Sequence, residues 1–508
     1  MNGTHRKTRH GRILVASALG VALLGGAAVA NAMAGDESPS AVPMAPASPQ
    51  AAPSAGQSDA LIVGYKSKAA GARSDTAVRE DTQAVAAQTD EKLSFDRRLG
   101  TGTVLVDLGE KQPAKDVAEV MDQFRADPDV AFVVPDRTVQ AAAIAAPSNP
   151  NDPRLGEQWE LTEAQAGMNV RDAWRTSTGR GVTVAVLDTG IAAHSDLAAN
   201  TVAGYDFITD AFTAKDGGGR DNDASDPGDA SKQGECKDPL GNPLPAAPSS
   251  WHGTHVAGTV AAVADNGKGV VGVAHGARVQ PVRVLGRCGG STSDIIDAIT
   301  WASGGAVPGV PANGTPAQVI NMSLGGGGAC DPATQGAIDG AVQRGTTVVV
   351  AAGNESSDAA NSSPASCNNV ITVAATNRAG DKAGYSNFGN AVDISAPGGE
   401  TSPNSADGIL STLNSGTDAP AAESFAFYQG TSMAAPHIAG LAALLKAARP
   451  ALAPAEIERA IKDNARPLPG ACAGGCGSGL ADAARTVASA AGGAAPAEDP
   501  ASPPAEDD

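Results

Sequence analysis

A chain of 508 residues exceeds the usual size of one domain, so more than one folded unit is expected. Its 36 Lys plus Arg against 55 Asp plus Glu give a net charge of −19, which argues against nucleic acid or an anionic membrane as the main partner. Aromatic residues make up only 3% while glycines number 61, so the core must be closely packed Ala, Val, Ile and Leu, as in layered α/β structure.

The chain opens on a basic stretch, HRKTRHGR at 5–12, then the apolar run ILVASALGVALLGGAAVA at 13–30 and the small-residue site Ala32-Met33-Ala34. That order reads as a cleavable signal peptide over 1–34, with an uncleaved anchor as the alternative. No later stretch could span a bilayer, so the mature protein is expected to be secreted, away from nucleic acid and membrane. Residues 35–58 are an Ala/Pro/Ser-rich linker with too little apolar surface to fold. ALIVGYK at 60–66, TGTVLVDL at 101–108, DVAEVMDQFRADPDV at 116–130 and AFVVPD at 131–136 alternate strand and helix patterns, predicting a small α+β module over 59–140. Exposed small residues at 141–150 form a tether open to proteolytic nicking.

The main body, 151–488, contains the runs VTVAVLD (182–188), ARVQPVRVL (277–285), AQVINMSL (317–324), TTVVVAAGN (346–354) and NVITVAATN (369–377), with helical patterns between them. Continuous apolar runs indicate parallel strands buried on both faces, hence a doubly wound, mostly parallel α/β sheet. Such sheets carry their sites at the carboxyl ends of strands, where Asp188, Ser323 and Asn354 each close a run. An acidic tail occupies 489–508. The six cysteines favour disulfides in an exported protein. Nearest-neighbour pairing is expected, Cys236 with Cys288, Cys330 with Cys367 and Cys472 with Cys476, among the several connectivities that six cysteines allow.

Three segments carry chemistry. Ser432 precedes the apolar helix pattern MAAPHIAGLAALLKAAR, in which Pro436 is tolerable if it falls in the first turn. A serine there is either an N-cap or a nucleophile, and the second role needs a base. His252, at the start of HGTHVAGTVAAVA, can supply it, since imidazole titrates near neutrality. His255 and His437 are expected as core histidines; a metal-binding histidine pair would want the carboxylate of HExxH, which is absent. Asp188 ends a buried strand, where an unpaired carboxylate is expensive, and orienting an imidazole would repay that cost; a turn role in DTG is the alternative.

VAVLDTG, HGTHVAGT and GTSMAAPH, in the order Asp, His, Ser, resemble the three motif segments of the subtilisin-like (subtilase) serine peptidases over about 150–488. The α/β-hydrolase elbow is absent around Ser432. The resemblance implies acyl transfer through Ser432, with His252 as general base and acid and Asp188 orienting it. It further implies an oxyanion donor in Asn354 and a substrate-pairing segment Ser323-Leu324-Gly325-Gly326. With Ala351, Ala352 and Gly353, that segment would wall a roomy pocket suited to a large apolar residue of a protein or peptide substrate, while Glu355 at its mouth would admit Lys. Module 59–140 resembles the family's inhibitory propeptide, removed by self-cleavage within 140–147, and the mature enzyme is expected to be monomeric.

Within the family the chain resembles the thermitase-like branch most. That likeness implies a structural Ca²⁺ held by Asp152, Asp196 and Asn266 side chains and the carbonyls of Val263, Lys268 and Val270, all oxygen ligands suited to a hard cation. Ser195 departs from the Pro usual there. The acidic loop at 216–229, with Asp221, Asp223 and Asp226, is either a second cation site or a solvated loop. A non-catalytic peptide binder and a surface-attached structural protein are the rival readings.

Overall fold

The computed structural model describes residues 58–89, 91–136, 150–238 and 240–491. The expected signal peptide and linker before Ser58, residues 137–149 and the expected tail from 492 lie outside the described residues. Among the described residues no helix is long and apolar enough to cross a membrane. The chain divides into two compact units, Met1–Ala142 and Ala143–Asp508.

In the first unit, strands β1 (Ser58–Tyr65), β2 (Ser94–Arg98), β3 (Val104–Gln112) and β4 (Val130–Pro135) form an antiparallel sheet in the order β2-β3-β1-β4. Helices Asp75–Thr89 and Ala114–Ala126 supply Val78, Val117, Val120, Met121 and Phe124 to a core shared with Leu61, Val63, Val104 and Val106. The sequence pattern anticipated the second helix but not the first. The buried stripe of Asp75–Thr89 is only Val78, Thr82 and Val85 in polar text.

The second unit is built on a seven-stranded sheet, paired in parallel throughout, in the order β13-β12-β10-β8-β5-β7-β6. The strands are β5 (Thr183–Asp188), β6 (Tyr205–Asp206), β7 (Arg278–Arg283), β8 (Val319–Met322), β10 (Thr347–Ala351), β12 (Ile371–Thr376) and β13 (Ile394–Pro397). Successive strand side chains point to opposite faces, and both faces here are covered. Val184 and Val186 of β5, with Val349 of β10, pack against helices His252–Ala261 and Thr431–Ala448. Ala185, Leu187, Val348 and Val350 pack against helices Thr292–Ala302 and Pro332–Gln343. This is the doubly wound arrangement that the uninterrupted apolar runs required.

A two-residue ribbon, β9 (Gly326–Gly327) with β11 (Ser362–Ser363), and a hairpin, β14 (Ile409–Asn414) with β15 (Glu423–Tyr428), lie outside the main sheet. The hairpin braces the His252 helix, since Ser411 and Thr412 hydroxyls donate to the carbonyls of His255 and Thr254. The structure pairs Cys236 with Cys288, Cys330 with Cys367 and Cys472 with Cys476. At the C-terminal end the expected boundary at 488 falls inside a helix, Ala483–Ala490, capped by Asp482, with Val487 and Ala490 buried. Packing thus carries an Ala-rich stretch that composition alone assigns to the tail.

Candidate active site

Asp188 is the last residue of β5 and has no exposed surface. Its Oδ1 accepts the amide N–H of Thr189 at 2.8 Å, and its two oxygens face His252 Nδ1 at 2.8 and 3.0 Å. His252 opens its helix, and the next residue, Gly253, allows the approach: a Cβ there would stand 2.2 Å from the carbonyl oxygen of Gly190. Trp251 before it takes a left-handed φ of 51°, uncommon for a bulky side chain. Its buried indole is held by a hydrogen bond to the Gly416 carbonyl at 2.6 Å.

A second carboxylate stands behind this pair. Thr189 Oγ1 donates to Asp226 Oδ2 at 2.7 Å and accepts the amide of Gly253 at 3.0 Å, tying β5 to the start of the His252 helix. Burial pushes Asp226 up to about 6, against the hydrogen bond from Thr189. The acidic loop is held by short-range hydrogen bonds. Asp221 and Asp223 each accept a backbone amide two residues on, at 2.8 and 3.0 Å, and Asp226 serves Thr189. Nothing in the sequence except the position of Thr189 after Asp188 hinted at this support.

Ser432 is the second residue of helix Thr431–Ala448. Pro436 falls in the second turn of that helix, not the first, so it withholds the N–H that would have bonded the Ser432 carbonyl. Ser323 Oγ fills the gap, donating to that carbonyl at 2.8 Å while accepting from Asn321 Nδ2 at 2.9 Å. Ser432 Oγ donates to the Ser323 carbonyl at 3.2 Å rather than to His252. In ligand-free sites such catalytic contacts are often unmade until substrate arrives. The amide of Ser432 lies in the first helical turn, where no intrahelical acceptor exists.

Asn354 lies three residues beyond β10, and its Oδ1 accepts both the amide and the hydroxyl of Thr431 at 2.9 and 3.0 Å. Those two donors engage Oδ1 and leave Nδ2 without a hydrogen-bond partner among the described residues, while Asn354 itself lines the same cleft as Ser432. His252, Ser323, Leu324, Gly325, Gly326, Ala352, Gly353, Asn354 and Ser432 all line one cleft of about 720 Å³. Ser362, Ser363 and Ala365 also line it, and the Cys330–Cys367 disulfide fastens the segment that bears them. Glu355 reaches the cleft with its Oε2 already held by Asn387 Nδ2 at 2.7 Å and the Asn354 amide at 2.9 Å. Sequence reasoning missed the far wall, where Lys237, Leu244, Leu285 and the Cys236–Cys288 disulfide stand.

His255 and His437 are buried in the core, as expected, but each is hydrogen-bonded through one ring nitrogen only: His255 Nδ1 and His437 Nε2 have no partner among the described residues, against the expectation that both nitrogens are satisfied. His255 stacks on Tyr428 with ring centroids 4.6 Å apart, and its Nε2 lies 3.0 Å from the Ile409 carbonyl; burial holds it down at about 3. His437 Nδ1 contacts the Met433 carbonyl at 2.7 Å, and burial lowers it to about 4. For His252, burial pulls toward the neutral form, but the carboxylate of Asp188, with Asp229 and Asp226 beyond it, outweighs that pull and raises its pKa.

Of the expected cation ligands, the Asp152, Asp196 and Asn266 side chains have described contacts. Asp196 is fully buried, its Oδ1 accepting from Asn266 Nδ2 at 2.6 Å and its Oδ2 from the Val270 amide at 3.0 Å. Its backbone carbonyl accepts from the Val263 amide at 2.9 Å. Asp152 Oδ2 accepts from the Asp265 amide at 2.8 Å, while its buried Oδ1 has no hydrogen-bond partner. Burial raises the pKa of both carboxyls, and for Asp152 the charge of Asp196 adds to the rise. Among the described residues no three Asp, Glu, His or Cys side chains meet, so a cation here would depend on two carboxylates, an amide oxygen and carbonyls.

With this geometry in hand, similarity to known proteins is informative. Residues 179–489 match the model of the Subtilase family. An extracellular protease of Xanthomonas campestris pv. campestris is 54% identical over 401 residues, 78% of this chain and 66% of that protein. An extracellular basic protease of Dichelobacter nodosus is 46% identical over 358 residues, 70% of this chain and 57% of that protein. The chain thus spans just under two thirds, or less, of these curated relatives. A solved structure of proteases from Pseudoalteromonas arctica is 55% identical, with a TM-score of 0.65, covering 67% of this chain and 99% of that one.

Following the His252 ring by NMR against pH tests its pairing. Because the charged form is stabilised in the folded state, its protonation midpoint should lie above the ordinary value of about 6.5. The stabilisation is present below that ordinary value and is lost as pH rises through the folded midpoint. Asp188→Asn should lower the midpoint; one at or below about 6.5 in the unaltered protein would contradict the pairing.

Proposed function

The chain belongs to the subtilase family, and from that premise we propose that it is a secreted serine endopeptidase. The observation that carries the reading is that His252, paired behind with buried Asp188, lines the same cleft as Ser432 and Asn354. With Nδ1–H bound to Asp188, the His252 ring presents Nε2 as the proton acceptor. Ser432 Oγ turns from the Ser323 carbonyl to attack the substrate carbonyl, and its proton passes to His252. The oxyanion receives hydrogen bonds from Asn354 Nδ2 and the Ser432 amide, both fixed before substrate binds. His252 then protonates the leaving amine, and water repeats the sequence on the acyl-enzyme.

The substrate lies as an added strand along Ser323–Gly326. The pocket between this segment and Ala351–Gly353 has small walls and takes a large apolar side chain; Glu355, held on one oxygen, offers the other to a Lys. Support for export comes from the N-terminal sequence and from relatives that are extracellular by name. The unit bearing β1–β4 is the intramolecular inhibitor of a zymogen that cuts its own tether, and the mature enzyme acts as a monomer.

A structural Ca²⁺ fits the site around Asp152. The orphaned Oδ1 of Asp152 and the buried carboxylate of Asp196 would be stabilised by a positive charge, and the carbonyls of Val263, Lys268 and Val270 would add oxygens; Asn266, whose Nδ2 donates to Asp196 and whose Oδ1 accepts the Lys268 amide, would have to turn its amide to join them. Two buried carboxylates would gain most from the ion by remaining charged.

Casein hydrolysis by the secreted protein tests the reading. Asn354→Ala should cut turnover on the order of 10²–10³, the magnitude known for this donor in subtilisin itself. Ser432→Ala should abolish hydrolysis and leave the tether uncut; processing at 140–147 by Ser432→Ala in the absence of other proteases would overturn the self-cleavage proposal. Removing calcium by chelation should lower the melting temperature by roughly 3–6 °C, and an unchanged melting curve would dismiss the ion.

A further inference from the structure

We propose that Lys237 is a specificity-determining residue, which favours substrates carrying a carboxylate side chain where they pass the loop closed by the Cys236–Cys288 disulfide. The inference rests on the peptidase reading. Apart from His252, the charged residues lining the cleft are Asp229, Lys237 and Glu355. Both carboxylates are occupied: Asp229 accepts the Ser250 amide at 2.6 Å and its hydroxyl at 2.7 Å, and Glu355 is held by Asn387. Lys237 has no side-chain hydrogen bond or ion pair among the described residues, although the protein carries a net charge of −19.

Neighbouring acids are committed elsewhere. Glu235 accepts the Lys232 amide at 2.7 Å and lies 3.8 Å from Arg287, while Asp238 accepts the amides of Leu240 and Asn242 at 2.9 and 2.8 Å. The backbone that bears Lys237 is pinned. Cys236 is buried and bonded to Cys288, its carbonyl accepts the Leu244 amide at 2.8 Å, and Asp238 donates to the Asn242 carbonyl at 2.9 Å. Leu244, 40% exposed on the same loop, gives the aliphatic part of a Glu side chain a surface to lie on. An unpaired cation held on a fixed wall of an otherwise acidic protein attracts a carboxylate with no native partner to displace.

An ion pair at this exposure is worth about a two- to fivefold preference and should fade with salt. The test uses the processed enzyme and fluorogenic peptides of one neutral parent sequence, with a single Glu, Gln or Lys walked through successive positions on the acyl side. Values of kcat/KM are read as ratios to the Gln peptide on the same variant, so loss of folded enzyme cancels. At one position Glu should exceed Gln by about two- to fivefold, Lys should fall below it, and high salt should level the three. Lys237→Gln should level them at low salt, and Lys237→Glu should reverse the order. Equal Glu-to-Lys ratios in the unaltered enzyme and in Lys237→Glu at every position would overturn the inference while leaving the peptidase reading intact. Failure to cleave the neutral parent would overturn both.

Discussion

A carboxylate removed from water is costly unless donors and a positive partner replace its hydration, and the fully buried Asp188 places that demand at the carboxyl end of an interior strand. The Thr189 amide meets part of it, and His252 Nδ1 meets the rest. Meeting it dictates a good deal else. The His252 helix must start against the end of β5, so its second residue is a glycine packed on the Gly190 carbonyl. Thr189 and the buried Asp226 stitch the two segments together. In return the imidazole is held in one orientation with its charged form favoured.

The sheet order brings the rest of the machinery to the same edge. β5 lies between β8 and β7, and β10 lies beyond β8. The segments that follow β8 and β10 therefore emerge beside Asp188 and deliver Ser323 and Asn354. The Ser432 helix docks on these through three side chains: Ser323 takes the carbonyl that Pro436 leaves unbonded, and Asn354 takes both donors of Thr431. The same contacts that anchor the helix hold Asn354 by Oδ1, so in the proposed mechanism anchoring the helix and orienting the oxyanion donor are one arrangement.

The sheet was legible because strands buried on both faces must read as unbroken apolar runs; VTVAVLD at 182–188 became β5 at 183–188, and NVITVAATN at 369–377 became β12 at 371–376. Asp188, His252, Asn354 and Ser432 were legible as polar residues at run ends and helix starts. Other features depend on partners far away in sequence. Arg283, inside an apolar run, is buried on Asp206 and Asp216. The β14–β15 hairpin pairs a buried strand whose interior is Ser411 and Thr412 with a partly exposed one, so neither reads as a continuous apolar run. The placement of Pro436 in the second turn and the use of Asp226 as a brace both turn on contacts that local pattern does not encode. The far cleft wall lies on a loop whose course is set by the Cys236–Cys288 bond.

In the proposed mechanism Ser432 is activated through His252 by Asp188. The most direct measurement is the rate at which a fluorophosphonate acylates the protein as a function of pH, with the adduct mapped by mass spectrometry. The account predicts a single adduct on Ser432, formed at a rate that rises as His252 loses its proton and that falls sharply in Asp188→Asn. An adduct elsewhere, or an equal rate in Asp188→Asn, would contradict it.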